Sequence, residues 1–571
     1  MRVATALLTL AASAALTGCG SSHTSGTATD PAGDVPASAP LFAGATVRPA
    51  GSEKAAASAA GRTLTRQADP YLRLLSALQT PGSPPLDFGR DVAPWLGASA
   101  GIFLSSLNAT EESKVGGLLS ELARDLLGGS SGSSAFPFAA HGVQGAIVLD
   151  TSDAGKARSF LESQAKRAGA HASSYRGVAY QATPEGTAFA LVHGLAVVGS
   201  VEGLHGVIDT TLGGPSLAHS SGYAKLMSVA PSGTLAHVYV NPASSGSSAP
   251  TAGVMGLLAG THETNISLVP SASSVALDFD ALASSASASA PASGGLLASA
   301  SEGTLAAGEL PAESWLAVGL GNVGTSLGSD VQGLRAIISL AGSLGGSNSE
   351  APASGALNLN GLLEAILKPL SVLGSDTAEA RRDFVSWMGS AGIYASGTGL
   401  VDLKAGIVIS SKNPSLSRAA VAKLGDLLRK SGASVQPVSI AGAEAAVSVE
   451  LTGLPVTLDV VDARAANGQT KFVIGLSEAS VTAALNPSST LSSGAPYSAA
   501  STALGEGIRP SLIVDFPTFL GLLEGLGLSE EPSISKLTPY LRTLSTLAGG
   551  GKSPGGGVQR LRIVAGLQHA E

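Results

Sequence analysis

Three short motifs carry residue types and spacings that could do chemistry. Gly319-Leu-Gly321-Asn-Val-Gly324 fits G-x-G-x-x-G, where glycines admit a pyrophosphate to a helix N-terminus. A strand is expected over Trp315–Val318 before it and a helix after it. About 20 residues later, where a dinucleotide site needs a strand ending in an acid, the chain runs Gly/Ser-rich from Ser339 to Ser349. The glycines are therefore expected at the exit of an edge strand, with no parallel crossover beneath them and no bound cofactor. Gly128-Gly-Ser130-Ser-Gly132 fits the G-x-S-x-G of hydrolase elbows but sits in a Gly/Ser run. Ser533-Ile-Ser-Lys536 fits S-x-x-K without the companion motifs of penicillin-binding enzymes. The nine histidines (His23, His141, His171, His193, His205, His219, His237, His262, His569) contain no H-x-x-x-H pair. With no cysteine ligands to help, they do not suggest zinc and read as surface or loop residues. The expectation is no catalytic residue, no cofactor and no metal.

The one cysteine has a more specific context. Met1-Arg2 and the apolar run Val3–Leu16 have the form of a signal peptide, too short to span a bilayer. The run ends in Leu16-Thr17-Gly18-Cys19, which resembles the lipobox of bacterial lipoproteins. That resemblance implies a diacylglyceryl group on Cys19 after cleavage. Two acyl chains hold a membrane stably where one does not. No other stretch reads as a transmembrane helix, and one cysteine permits no internal disulfide. Gly20–Pro40 (GSSHTSGTATDPAGDVPASAP) is expected to be a disordered tether holding the body some 25 Å from lipid.

Composition narrows the remaining classes. Charged residues are 13%, hydrophobic residues 44% and mean hydropathy +0.30, too apolar for a disordered chain. The net charge of −8 gives no electrostatic footprint for nucleic acid. A length of 571 residues allows two to four domains at roughly 100–200 residues each.

An internal echo organises those residues. Asp91-Val-Ala-Pro-Trp95-Leu-Gly97-Ala-Ser-Ala-Gly101-Ile-Phe103 recurs, one residue shorter, as Asp383-Phe-Val-Ser-Trp387-Met-Gly389-Ser-Ala-Gly392-Ile-Tyr394. Gly145–Leu149 is echoed by Ala405–Ile409, Ala196–Glu202 by Phe472–Glu478, and Tyr223 by Tyr497. Each of the first pair precedes an amphipathic helix. One is capped by Asp153, buries Ala157, Phe160, Leu161, Ala165 and Ala168, and stops at Gly169; the other is capped by Asn413-Pro414, buries Val421, Leu424 and Leu428, and stops at Gly432. The spacing between equivalents falls from about 291 to 260 because the first half inserts residues after Phe103, with a helix expected over Glu111–Leu127. Hairpin signals mixed with helices predict α+β: two tandem homologous domains, each a mainly antiparallel sheet with helices covering one face. In the first, Tyr175–Ala182 and Ala188–Gly199 are expected as single strands joined by a Pro-Glu-Gly turn. The expected order is signal peptide 1–18, lipidated cysteine and tether 19–40, first domain 41–283, linker 284–308 and second domain 309–567.

Asp91/Trp95 and Asp383/Trp387 are the most distinctive repeated pair. A functional reading would make them ligand contacts; recurrence at the same place relative to the strands instead favours each Trp anchoring a helix end on the sheet while Asp caps or hydrogen-bonds nearby. The Asp-x-x-Pro-Trp-Leu-Gly motif, Leu149-Asp-Thr-Ser-Asp153 and Tyr175-Arg-Gly-Val-Ala-Tyr180 resemble a bacterial family catalogued as domain of unknown function 3352. The resemblance implies an exported or lipid-anchored protein and brings no catalytic residues. The expected function is non-catalytic binding or scaffolding on the outer face of the cell membrane, with an envelope polymer, lipid or protein as partner. A carrier of a hydrophobic ligand is the alternative, and an envelope hydrolase the less favoured one.

Overall fold

The computed structural model describes residues 30–65, 86–106, 144–241, 263–282, 303–321, 323–324, 382–399, 401–430, 432–450, 457–526, 529, 535 and 538–568. Cys19, the segment expected as helix 111–127, the Gly128–Gly132 motif, most of Ser533–Lys536, and His23, His141, His262 and His569 lie outside the described residues. The chain divides into two compact units, one centred on residues 1–283 and the other on 284–553 and 559–569.

The first unit holds β1 (Leu41–Thr46), β2 (Leu96–Leu104), β3 (Gly145–Thr151), β4 (His171–Tyr175), β5 (Val178–Ala182), β6 (Thr187–Val192), β7 (Leu195–Ser200), β8 (Ala236–Val240), β9 (Thr264–Pro270) and β10 (Ser274–Leu282). Its helices are α1 (Gly51–Thr65), α2 (Ala154–Arg167), α3 (Val201–Thr211) and α4 (Ser221–Ser228). The strands lie in the order β10-β9-β8-β1-β2-β3-β7-β6-β5-β4, and every pair is antiparallel.

The second unit holds β11 (Leu316–Leu320), β12 (Met388–Ser396), β13 (Lys404–Ser411), β14 (Ser434–Pro437), β15 (Ala443–Glu450), β16 (Thr457–Arg464), β17 (Thr470–Gly475), β18 (Leu512–Asp515), β19 (Leu544–Gly555) and β20 (Val558–Leu567). Its helices are α5 (Thr304–Gly308), α6 (Pro414–Lys430), α7 (Glu478–Leu485), α8 (Ala495–Leu504), α9 (Phe516–Gly525) and α10 (Thr538–Leu541). The order is β20-β19-β18-β11-β12-β13-β17-β16-β15-β14. The protein is thus mixed helix and strand, dominated by antiparallel sheet.

Helices cover both faces of the sheets, where one face was expected. In the first unit α3 and α4 pack with Ala146, Val148, Ala190 and Val197. On the other side α2 contacts β6 and β7, and Phe160 lies on Trp95. All six residues of β7 and of β17 are buried. A strand covered on both faces needs a continuous apolar run, and Leu195-Ala-Val-Val-Gly supplies one. The helix caps follow the sequence. Asp153 accepts from Lys156 N at 3.0 Å, and Gly169 closes α2 with φ +68°. Asn413 accepts from Leu416 N at 3.3 Å, and Gly432 has φ +90°.

Two expected strands are each a hairpin. Arg176 (φ +49°) and Gly177 (φ +83°) turn β4 into β5, while His193 (φ +49°) and Gly194 (φ +84°) turn β6 into β7. Two consecutive positive φ angles make a type I′ turn, normally signalled by Asn-Gly or Asp-Gly. Arg-Gly and His-Gly hide that signal.

The expected tether is also shorter at its folded end. Ala32, Val35 and Ala39 are completely or almost completely buried. Ala37 N donates to Pro215 O at 2.9 Å and Leu217 N to Val35 O at 2.8 Å. Composition marked this stretch as unable to pack, but alanine and valine need only a preformed apolar surface, which α3 and α4 provide. Likewise the expected linker ends before Gly303, because α5 buries Ala307 and Gly308. Replacing Val35 by Asp should therefore lower the urea midpoint by the equivalent of about 3 kcal/mol. Gly33→Ala, whose added methyl meets nothing within 4 Å, should leave it unchanged.

Candidate functional site

The repeated Asp/Trp motif builds the same latch in both units. In the first, Asp87 caps a π-helical turn over Phe88–Val92, accepting from Arg90 N at 2.8 Å. Trp95 Nε1 donates to the Asp91 carbonyl at 2.8 Å, and its ring packs on Phe160 with centroids 5.1 Å apart. In the second, Trp387 Nε1 donates to the Asp383 carbonyl at 3.0 Å and its ring packs on Phe472 at 5.0 Å. Both indoles are buried, at 2% and 0% exposure. The Trp carbonyls accept in turn from the chain after the next strand: Ser152 N to Trp95 O at 2.8 Å, Lys412 N to Trp387 O at 2.7 Å.

The glycine two residues after each Trp is required by the same contact. A Cβ on Gly97 would lie 2.8 Å from the Asp150 carbonyl carbon, and one on Gly389 would lie 3.0 Å from the Ser410 carbonyl oxygen. Here β2 and β12 bulge. Between the Leu96–Thr151 and Ala100–Leu149 pairs three residues of β2 face one of β3; between Met388–Ser411 and Ala391–Ile409 two residues of β12 face one of β13. The one-residue difference between the two copies of the motif lies in this bulge.

The aspartate carboxylates face outward. Asp91 bonds Arg90 Nη2 at 2.8 Å and accepts from Asp87 N, and the Arg90 bond chiefly holds its pKa low. Asp383 pairs with Lys423 at 2.7 Å and Arg382 at 3.1 Å; the Lys423 bond is the larger cause of its lowered pKa. Cation-paired, ionised carboxylates of this kind are poor proton donors near neutral pH.

The first unit also contains two polar networks that sequence reasoning missed. His237 on β8 opposes Gly44, where a Cβ would come within 2.6 Å of its ring. Its Nε2 lies 3.0 Å from the Tyr223 hydroxyl, which donates to Asp30 Oδ2 at 3.2 Å. The single hydroxyl proton goes to Asp30, so His237 donates through Nε2. Burial lowers the His237 pKa, with Asp30 opposing, and burial pushes the Tyr223 hydroxyl up. Tyr497, the expected equivalent of Tyr223, is only half-buried.

The second network ties the β4–β5 hairpin to α3. Tyr175 stacks on His205 with centroids 3.8 Å apart, and the Tyr180 hydroxyl lies 3.2 Å from His205 Nε2. Asp209 accepts from the Tyr175 hydroxyl at 3.2 Å and pairs with Arg176 at 3.1 Å. His237 and His205 are therefore half-buried and engaged in hydrogen bonds rather than free surface histidines. The alternation of Leu235–Asn241 could have flagged His237 as facing one side of a sheet, but not what covers that side.

The second unit buries different polar groups. Lys471 on β17 is 7% exposed in its side chain and pairs with Glu309 at 2.9 Å. Asp462 on β16 is fully buried beside α6, with no hydrogen bond to either carboxylate oxygen. Burial raises its pKa, offset in part by Ser417 and Arg418. Among the described residues, no three His, Cys, Asp or Glu side chains are grouped to hold a metal ion.

The G-x-G-x-x-G glycines lie elsewhere than expected. Gly319 is on β11, an interior strand antiparallel to both β12 and β18, not an edge strand. Its missing Cβ admits the Gly303 carbonyl, which would otherwise be 2.0 Å away, and that of Gly324 admits the carbonyls of Val385 and Met388. In Gly319 and Gly324 the motif serves close packing against backbone. At the position paired with Gly101, the first unit has Gly44, so the glycine at this place recurs just before the Ala45–Pro49 stretch.

Fold and site together define a mixed helix-and-strand protein with antiparallel sheet, whose repeated motif fixes backbone. The chain belongs to the family described as "Protein of unknown function (DUF3352)", whose model matches residues 1–507. No curated protein and no solved structure matches it.

Two measurements check these assignments. Trp95→Ala and Trp387→Ala should each cost about 3–5 kcal/mol in urea unfolding. Asp91→Asn and Asp383→Asn should leave the midpoint nearly unchanged, because the latch uses their backbone. Acid should weaken the first unit through His237. Its folded-state pKa lies below the ordinary 6.5, so the unfolded chain binds the proton first as pH falls. Stability is complete above pH 6.5 and is lost below it. His237→Gln should flatten the loss between pH 7.5 and 5.

Proposed function

We propose that this is an exported, lipid-anchored cell-envelope protein that acts by binding or scaffolding, built from two tandem homologous α+β domains. The observation that carries the reading is that the most distinctive recurring residues, the Asp/Trp/Gly latch, hold backbone rather than line a reactive cleft. Duplication is supported by the strand order, in which each strand of the second unit takes the place of the strand numbered ten lower in the first. Pairing registers agree as well. Val148 opposes Gly101 and Val197, as Val408 opposes Gly392 and Val473. The lone bridges Pro36–Ser216 and Pro311–Thr490 occupy matching places too. The proposed domains therefore run from Asp30 to about 283 and from Gly303 to 567.

Export and anchoring rest on Leu16-Thr17-Gly18-Cys19 behind a short apolar run. Among the described residues no helix is long and apolar enough to cross a membrane. In a bacterial host, Cys19→Ser should move the protein from the membrane pellet to soluble or uncleaved fractions. Retention of a cleaved Cys19→Ser protein in the membrane would sink the anchor. A fluorophosphonate probe should leave the purified protein unlabelled; stoichiometric labelling of one serine would replace binding with hydrolysis.

A further inference from the structure

We infer that the surface of the first unit around Asp30–Ala37 and the Leu212–Pro215 turn lies against the phospholipid of the outer leaflet. The inference rests on the lipid anchor proposed above. Asp30, where the described fold begins, is eleven residues from Cys19. At about 3.6 Å per residue that stretch reaches at most about 40 Å. A compact body of about 250 residues has a radius of gyration near 18 Å and is roughly 46 Å across, so wrapping halfway around it takes roughly 70 Å. A chain of eleven residues cannot do that. The tether therefore keeps the face opposite the entry point from resting on the membrane that holds Cys19, and Leu212 on the entry side selects the face that does.

That side has an apolar tip. Pro36 packs where a Cβ on Gly206 of α3 would be 2.9 Å away, and Ala37 N donates to Pro215 O at 2.9 Å. The entering chain therefore runs beside the loop that ends α3. Leu212 opens this loop, followed by Gly213 (φ +102°), Gly214 and Pro215. At 52% exposure it is the one exposed large hydrophobic side chain among the described residues of the first unit. On the opposite face of the sheet, α2 presents Lys156, Arg158 and Ser159 to solvent.

The test uses the full-length lipidated protein in vesicles of phosphatidylethanolamine and phosphatidylglycerol containing a brominated-chain phospholipid. A nitrobenzoxadiazole label goes on Leu212→Cys or, as the control on α2, on Ser159→Cys; the lipidated Cys19 does not react. Emission from position 212 should fall at least two-fold in brominated vesicles, while emission from 159 stays unchanged. No quenching at 212, or equal quenching at both sites, in protein that floats with the vesicles would overturn the inference and leave the anchor standing. Protein that does not float would overturn the anchor itself. Cys19→Ser protein labelled at 212 should lose the quenching; persistence would overturn the tether as its cause.

Discussion

A hydrogen bond from an indole N–H to the backbone carbonyl four residues earlier organises each half of this protein. It closes the turn that delivers the chain to β2 and β12, strands that lie between two partners in their sheets. Burying a tryptophan brings a large apolar area but leaves one N–H that must find an acceptor. The motif places that acceptor on its own backbone. The bond thus accompanies the aspartate position without needing the carboxylate. The bulge that follows brings the strand onto its neighbour, and the glycine in it is the residue that lets the two backbones touch.

From that anchor the sheets grow outward with helices on both faces. Two-sided burial accounts for the low charge content: a strand such as β7 has no solvent side on which to place charge, and the one charged residue of β17, Lys471, is paired with Glu309. It also makes each buried polar group notable. In the first unit the buried Tyr223 hydroxyl links the half-buried His237 to the exposed Asp30, and the half-buried His205 is held between tyrosines. In the second unit, Lys471 is paired with Glu309, whereas burial raises the Asp462 pKa against the opposing effects of Ser417 and Arg418. The two units thus share a strand order and a latch but carry different polar groups, and these distinguish them.

Much of the framework was legible in the sequence. Helix caps at Asp153 and Asn413, stops at Gly169 and Gly432, and the apolar stripes of α2 and α6 are local features, set within a few residues. The repeated Asp/Trp motif and its one-residue difference were visible too, because self-similarity needs no three-dimensional information. What these local signals left open were the turns at Arg176-Gly177 and His193-Gly194, whose left-handed residues are not the usual ones.

Tertiary structure decided the rest, for reasons of partnership. Ala32, Val35 and Ala39 look like tether until α3 and α4 offer them a surface, so their burial depends on residues far along the chain. His237 fits against the sheet beside Tyr223 only because Gly44, on a strand distant in sequence, leaves room for its ring. The G-x-G-x-x-G glycines resemble a phosphate loop by spacing alone; the antiparallel neighbours of β11 and the backbone crowding Gly319 and Gly324 give them a packing role. Sequence determined the helix caps and stops of α2 and α6, their apolar stripes and the repeated Asp/Trp motif, because hydrogen bonds and periodicity within a segment specify them. Which polar groups are buried, and which face each segment meets, depended on long-range pairing, because burial is a property of what packs opposite.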